Sequence, residues 1–243
     1  HNLPIEPSED TFSFFVVYMS HHISPRSVNS YLSGISQQLE PYFPNVRQIR
    51  TSKLVSRTLR GCMRLKGTPT RRKSPLHIDD LGTVIRAFAI RPSHDDLLFV
   101  AMLLTGFFGL MRLGELTVPD DVSLRNPKKI IHRNSLSISD NNYQFLLPSH
   151  KADRYFEGNR IIITSSQIRF NPVDHMRRYV ASRDHLPFQT SALWITSSGN
   201  PPHRSFFINR LRVFFGPDIA GQSMRSDGAT SLAENGTPPS IIQ

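Results

Sequence analysis

Residues Leu97 to Leu116 read LLFVAMLLTGFFGLMRLGEL, and the interpretation of this stretch decides the class of the whole chain. Its apolar run, Leu97–Met111, falls short of the roughly 20 residues that a membrane-crossing helix needs, and Thr105, Gly106 and Gly109 interrupt it. Asp95 and Asp96 stand just before the run and Arg112 just after it. Charges so close to both ends suit a helix buried in the core of a globular domain. Ser93 with Asp96 three residues on is a capping pattern that starts this helix, with the acidic group at its positive end. Arg112 at the far end has two readings. It is either half of a structural ion pair with Glu115, one turn later, or a cation kept for an anionic ligand, since an unpaired charge is costly to bury.

Around that stretch, 243 residues are enough for one large or two modest domains. A formal charge of +10 and a pI near 10.2 favour association with polyanions. The charge is uneven: residues 1–76 hold 11 Lys/Arg against 4 Asp/Glu, residues 77–243 hold 18 against 15, and no acidic residue lies between Glu40 and Asp79. One cysteine excludes an internal disulfide, which suits a reducing, intracellular compartment, and Cys62 reads as a buried inert thiol. The chain opens at His1 without a methionine, which reads as part of a longer protein.

The first third reads as helical. Ser24 is a candidate N-cap with Pro25 at the first helical position, and Pro44 marks the exit. Arg50, Lys53, Arg57, Arg60 and Arg64 then recur at steps of three and four, which predicts five cations on one helical face. A solvated face is one reading. Without acidic partners the five repel one another, and contact with phosphates is the reading preferred here. GTPTRRKSPL (Gly67–Leu76), with Arg71, Arg72 and Lys73, reads as an extended basic linker, and its three cations also fit a weak nuclear-localisation signal. The expected organisation is a helical domain over 1–66, the linker over 67–76 and a second domain over 77–243.

The second domain reads as a helix over Ile78–Ile90, the apolar helix, three strands (KKIIHRNSLSIS, YQFLLP and RIIITS), then helices again, one with Pro172 at its first position. ALWIT reads as a further short strand. The fold class expected is mainly α with a small three-stranded antiparallel sheet. No Cys pair, H-E-x-x-H, G-x-S-x-G, P-loop or dinucleotide fingerprint occurs, so neither a metal nor a nucleotide cofactor is expected. Three cations remain in unusual settings: Arg112; Lys151, at a turn between two strands, where a solvated lysine is the ordinary reading; and Arg225, alone among small residues in GQSMRSDGAT (Gly221–Thr230) with Gln222 one turn earlier.

Arg-x-x-Glu-Leu after a buried helix, a lysine between two strands, and a small-residue arginine segment ending GATSLAENGTPPSIIQ together resemble the tyrosine recombinases of the phage-integrase family. The phrasing is most similar to integrase-like proteins of eukaryotic mobile elements such as Cryptons. The resemblance covers nearly the whole chain and implies a two-domain clamp on double-stranded DNA, without cofactor, membrane or small-molecule substrate. Oligomerisation on the DNA is left open, and a eukaryotic host would place the work in the nucleus. It implies that Arg112 and Arg225 grip the scissile phosphate and that Lys151 protonates the departing 5′-oxygen. Two departures stand out. The family's His-x-x-Arg has Gln222 in place of the histidine, and none of the six tyrosines follows Arg225, where the nucleophile is expected. The resemblance therefore also admits a DNA-binding descendant that no longer cuts.

Overall fold

The computed structural model describes residues 6–69, 74, 76–149, 157–165, 170–217, 219, 221 and 223–234. The chain divides into two compact units, His1–Arg72 and Lys73–Gln243.

In the first unit α1 spans Glu9–His22, α2 Pro25–Leu39, α3 Val46–Thr51 and α4 Lys53–Lys66. Ser8 caps α1 through a reciprocal pair of bonds with Thr11, and Pro25 opens α2 with its missing N–H at no cost. Phe12, Val16, Val28, Leu32, Val46 and Val55 form the core, with Leu59 and Cys62 packed against it and only partly buried. The charged segment is not one helix, as its spacing suggested. Ser52 takes an extended ψ of 158° and caps α4 through its hydroxyl, which accepts from the Val55 N–H at 3.3 Å. The stripe is thereby split: Arg50 ends α3, while Lys53, Arg57, Arg60 and Arg64 lie on α4.

The second unit comprises α5 (Ile78–Ala87), α6 (His94–Phe108), α7 (Leu113–Leu116), β1 (Ser137–Ile138), β2 (Asn142–Leu147), β3 (Asn159–Thr164), α8 (Pro172–Asp184), α9 (Arg204–Phe215) and α10 (Ser223–Glu234). α5 stops three residues before Ile90, and Arg91, directly before Pro92, has a positive φ of 49°. Ser93 and Asp96 close the expected capping box at the start of α6, and every residue from Leu98 to Phe107 is buried. This is the central core helix; among the described residues no helix is long and apolar enough to cross a membrane.

The sheet is antiparallel in the order β1-β2-β3, with Tyr143 opposite Ile163 and Phe145 opposite Ile161. Tyr143, Phe145 and Leu147 alternate inward onto the core. Thr105 of α6 donates to the Ala101 carbonyl at 2.7 Å, so the Tyr143 hydroxyl donates to Thr105 Oγ1 at 2.8 Å and ties sheet to helix. Two expected strands are largely absent. Pro127–Lys129, capped by Asn126, and Arg133–Ser135 form separate 3-10 turns, leaving β1 two residues long, and ALWIT joins His132 only through a single bridge at Ala192.

Candidate functional site

Arg112 does not end α6. That helix stops at Phe108, Gly109 caps it, and Leu110 turns the chain with a positive φ of 50°. Arg112 is instead the N-cap residue of α7. Glu115 holds it twice: its carboxylate accepts the Arg112 main-chain N–H at 2.8 Å and Nη1 at 3.0 Å. The Arg112 side chain is 44% exposed, against 11% for Glu115. A half-buried carboxylate thus fixes the arginine's orientation and leaves part of its fork facing solvent. The surface beside it is open, since a Cβ added to Gly114 would meet nothing within 4 Å. The ion pair foreseen for Arg112 is present, and it is compatible with an anion on the remaining donors.

Arg225 stands on the first turn of α10, and glycines determine where that turn sits. A Cβ on Gly221 would come within 2.6 Å of Leu113 Cδ2, so the entrance to α10 lies directly against the residue that follows Arg112. Met224 covers Gly106 of α6, and a Cβ on Gly228 would overlap the Phe107 carbonyl oxygen. Ser223, buried, donates to the Ser74 carbonyl at 3.0 Å. These contacts bring the two arginine-bearing segments together around Leu113. Arg225 itself is half-buried, with no hydrogen-bond or ion-pair partner among the described residues.

This seating yields a first prediction. Gly→Ala inside a helix ordinarily stabilises by about 0.5–1 kcal/mol. At Gly228 the added methyl meets a backbone carbonyl that cannot rotate away, and overpacking of about 1–3 kcal/mol wins. Gly228→Ala is expected to speed amide hydrogen exchange along α10, the helix that carries Arg225. Full protection of α10 in this variant would show that close seating on α6 is not what places the arginine.

On α4, Lys53, Arg57, Arg60 and Arg64 are all exposed, and none has a hydrogen-bond or ion-pair partner among the described residues. At 100° and 1.5 Å per residue they occupy about 60° of arc along roughly 16 Å. A Cβ on Gly61 beside them would meet open space, and Leu54 and Leu65 of the same helix are 43% and 86% exposed. Arg50 behaves differently, because its guanidinium donates to Ser33 and Asn29 of α2. Lys151, Gln222, Arg71, Arg72 and Lys73 lie outside the described residues.

Sequence reasoning did not single out Gly221 and Gly228 as the seat of α10, or Asn29 and Ser33 as partners of Arg50. Small residues and an i, i+4 polar pair were the available signals, but both have meaning only once the packing partner is known. Of the six tyrosines, Tyr143 and Tyr179 are buried in the core, and burial pushes both phenols well above their ordinary pKa. Tyr18, Tyr31 and Tyr42 belong to the first unit, and Tyr155 lies outside the described residues.

No family model and no curated protein matches this sequence. Solved structures do. XerH site-specific recombinase, in a post-cleavage complex with palindromic difH substrate, matches with a TM-score of 0.59 at 11% identity, over 100% of this chain and 66% of that one. The Tn1549 transposon integrase, in complex with circular intermediate DNA, gives 0.55 at 15% identity over 99% and 78%. XerA recombinase gives 0.51 at 16% identity over 96% and 77%. The chain has the tyrosine-recombinase fold, and it spans about two thirds of the XerH chain's length.

Proposed function

We propose that this chain is the DNA-binding and phosphate-gripping body of a tyrosine recombinase or integrase, acting on double-stranded DNA. The observation that carries the reading is the seat of Arg225: the entrance to its helix, at Gly221, packs on Leu113, next to an Arg112 that Glu115 orients with donors to spare. Two planar guanidiniums so placed suit one phosphate whose charge grows during strand transfer. The similar structures support it: the XerH recombinase is bound to its palindromic difH substrate after cleavage, and the Tn1549 integrase is in complex with circular intermediate DNA. Lys151 is assigned the protonation of the leaving 5′-oxygen, which is worth about 10²–10⁴ in rate for a general acid. Exposed cations on α4, together with Arg71, Arg72 and Lys73, supply contacts to the DNA backbone. Cleavage through a 3′-phosphotyrosine also needs a positioned nucleophile, and none of this chain's tyrosines follows Arg225. A DNA-bound assembly of several copies and, in a eukaryotic cell, a nuclear location belong to the same proposal.

Gln222 supports a second reading, a DNA-binding protein descended from a recombinase that no longer cuts. A glutamine donates a hydrogen bond to phosphate but cannot shuttle a proton near neutral pH.

Arg225→Ala tests the grip. Loss of a half-exposed cation without partners among the described residues should change folding stability by no more than about 0.5 kcal/mol. Losing its charge-assisted bonds to phosphate should weaken duplex binding by roughly tenfold to a hundredfold. A large fall in melting temperature with binding intact would make Arg225 a structural residue. On a nicked suicide duplex the 243-residue chain should bind without forming a covalent adduct in denaturing electrophoresis. An adduct would mean that one of its tyrosines is the nucleophile after all.

A further inference from the structure

Arg50 continues the spacing of the cationic stripe, but its side chain is engaged inside the first unit. Its Nη2 donates to Ser33 Oγ at 2.7 Å and to Asn29 Oδ1 at 3.4 Å, and its Nε is buried without a partner. Ser33 in turn donates to the Asn29 main-chain carbonyl at 3.1 Å. Asn29 and Ser33 stand one turn apart on α2, and both are exposed. A guanidinium held this way is poorly placed to serve as a free phosphate ligand. What it does control is the presentation of two uncharged polar side chains at the surface.

The control has a definite sense. Arginine carries donors only, so the atom of Asn29 that faces it must be the amide oxygen, and the NH₂ group must face away. A free asparagine reads adenine by donating to N7 while accepting from the N6 amino group. Asn29 has its amide oxygen turned toward Arg50, with one of its two lone pairs taking up the 3.4 Å contact, and so presents its NH₂ group, a pair of donors, to solvent. The base-pair edge that matches is one with adjacent acceptors, and guanine's N7 and O6 provide it.

We propose that Arg50 is a positioning residue and that Asn29, held by it, reads an acceptor-rich base edge, guanine foremost, in the major groove. The inference rests on the DNA-binding reading above. It divides the labour within the first unit: α4 cations supply affinity without sequence preference, and the uncharged ridge on α2 supplies discrimination.

The test is selection by the 243-residue chain from a pool of duplexes with a randomised segment, followed by affinity measurements on the enriched sequence. The wild-type chain should enrich a motif with a G·C pair whose replacement weakens binding about tenfold to a hundredfold. Asn29→Asp keeps a partner for Arg50 but has no donor, and should abolish discrimination at that pair alone. Arg50→Gln should blur the same position and leave the salt dependence of binding unchanged. Thermal melts establish that both variants fold, and Asn29→Asp decides the matter if Arg50→Gln does not. The inference is overturned if the motif is indifferent to Asn29, or if Arg50→Gln reduces the salt slope by about 0.9, the signature of a lost phosphate contact. Duplex binding without any enriched motif would also overturn it, while leaving the proposed function standing. Absence of duplex binding would instead defeat the proposed function itself.

Discussion

Arg183→Ala is expected to destabilise the second unit by about 3–5 kcal/mol, the range for removing one partner from a buried, hydrogen-bonded charge. Arg183 lies on α8 and is 7% exposed. Its Nε donates to the Leu193 carbonyl at 3.1 Å, and Nη2 donates to the carbonyls of Thr190 at 2.8 Å and Ala192 at 2.6 Å. Nη1 reaches the Asp184 carboxylate at 3.0 Å, which Arg133 holds from the other side at 2.7 Å. Arg133 first, and then Arg183, hold the Asp184 carboxyl below its ordinary pKa against a desolvation that pushes the other way. Alanine would strand the Thr190 and Ala192 carbonyls and leave that of Leu193 to the Tyr179 hydroxyl alone, in a segment that runs through the core with Leu193, Trp194 and Ile195 buried. At about 2–4 °C per kcal/mol for a unit of this size, the melting temperature should fall by roughly 6–20 °C. Arg183→Lys keeps the charge but cannot spread donors over three carbonyls, and should fall between the two. A calorimetric shift under about 1 kcal/mol for Arg183→Ala would mean that solvent or a rearranged loop satisfies those carbonyls. The contrast with Arg225→Ala separates an arginine that serves the fold from one proposed to serve a ligand.

Much of the fold was legible because its signals are local. Ser93 and Asp96 sit three residues apart, Pro172 opens its helix, and the run from Leu97 to Met111 has too many apolar faces for anything but a central helix. The misreadings arose where a local pattern carried on past a structural break. The three-and-four spacing of cations runs unbroken from Arg50 to Arg64, yet Ser52 adopts an extended backbone because Val46 and Val55 must both enter one small core. Around Lys128–Ile131 the two isoleucines suggested a strand. Pro127 turns the chain, however, and Ile131 is satisfied by one main-chain bond from Leu193.

The site divides along the same line. Arg112 and Arg225 stood out because their neighbours are apolar or small, a property of their own segments. Arg183, in MRRYVASRD, looks like any arginine on an amphipathic helix, and its acceptors come from a turn seven to ten residues further on. Arg50 differs from Arg57 only in what α2 places opposite it. Contacts set by long-range packing leave no periodicity to read.

The central claim is that this chain binds duplex DNA through the exposed cations of α4, and its most direct test is the salt dependence of that affinity. Each neutralised phosphate releases condensed counterions and adds about −0.9 to the slope of log K against log salt. Arg57, Arg60 and Arg64 share one exposed face without acidic partners among the described residues. Replacing all three by alanine should flatten the slope by about two to three units. Between 50 and 200 mM salt, the wild-type chain would then lose roughly 40-fold more affinity than the variant. Folding stability should hold or rise slightly, because like charges three and four residues apart repel one another. A fluorescence-anisotropy titration of one labelled duplex over that salt range, with the wild-type chain and the triple variant, reads the difference. A slope flattened by two to three units is the predicted result. The same slope in both proteins would make the α4 stripe a solvated face and contradict the account.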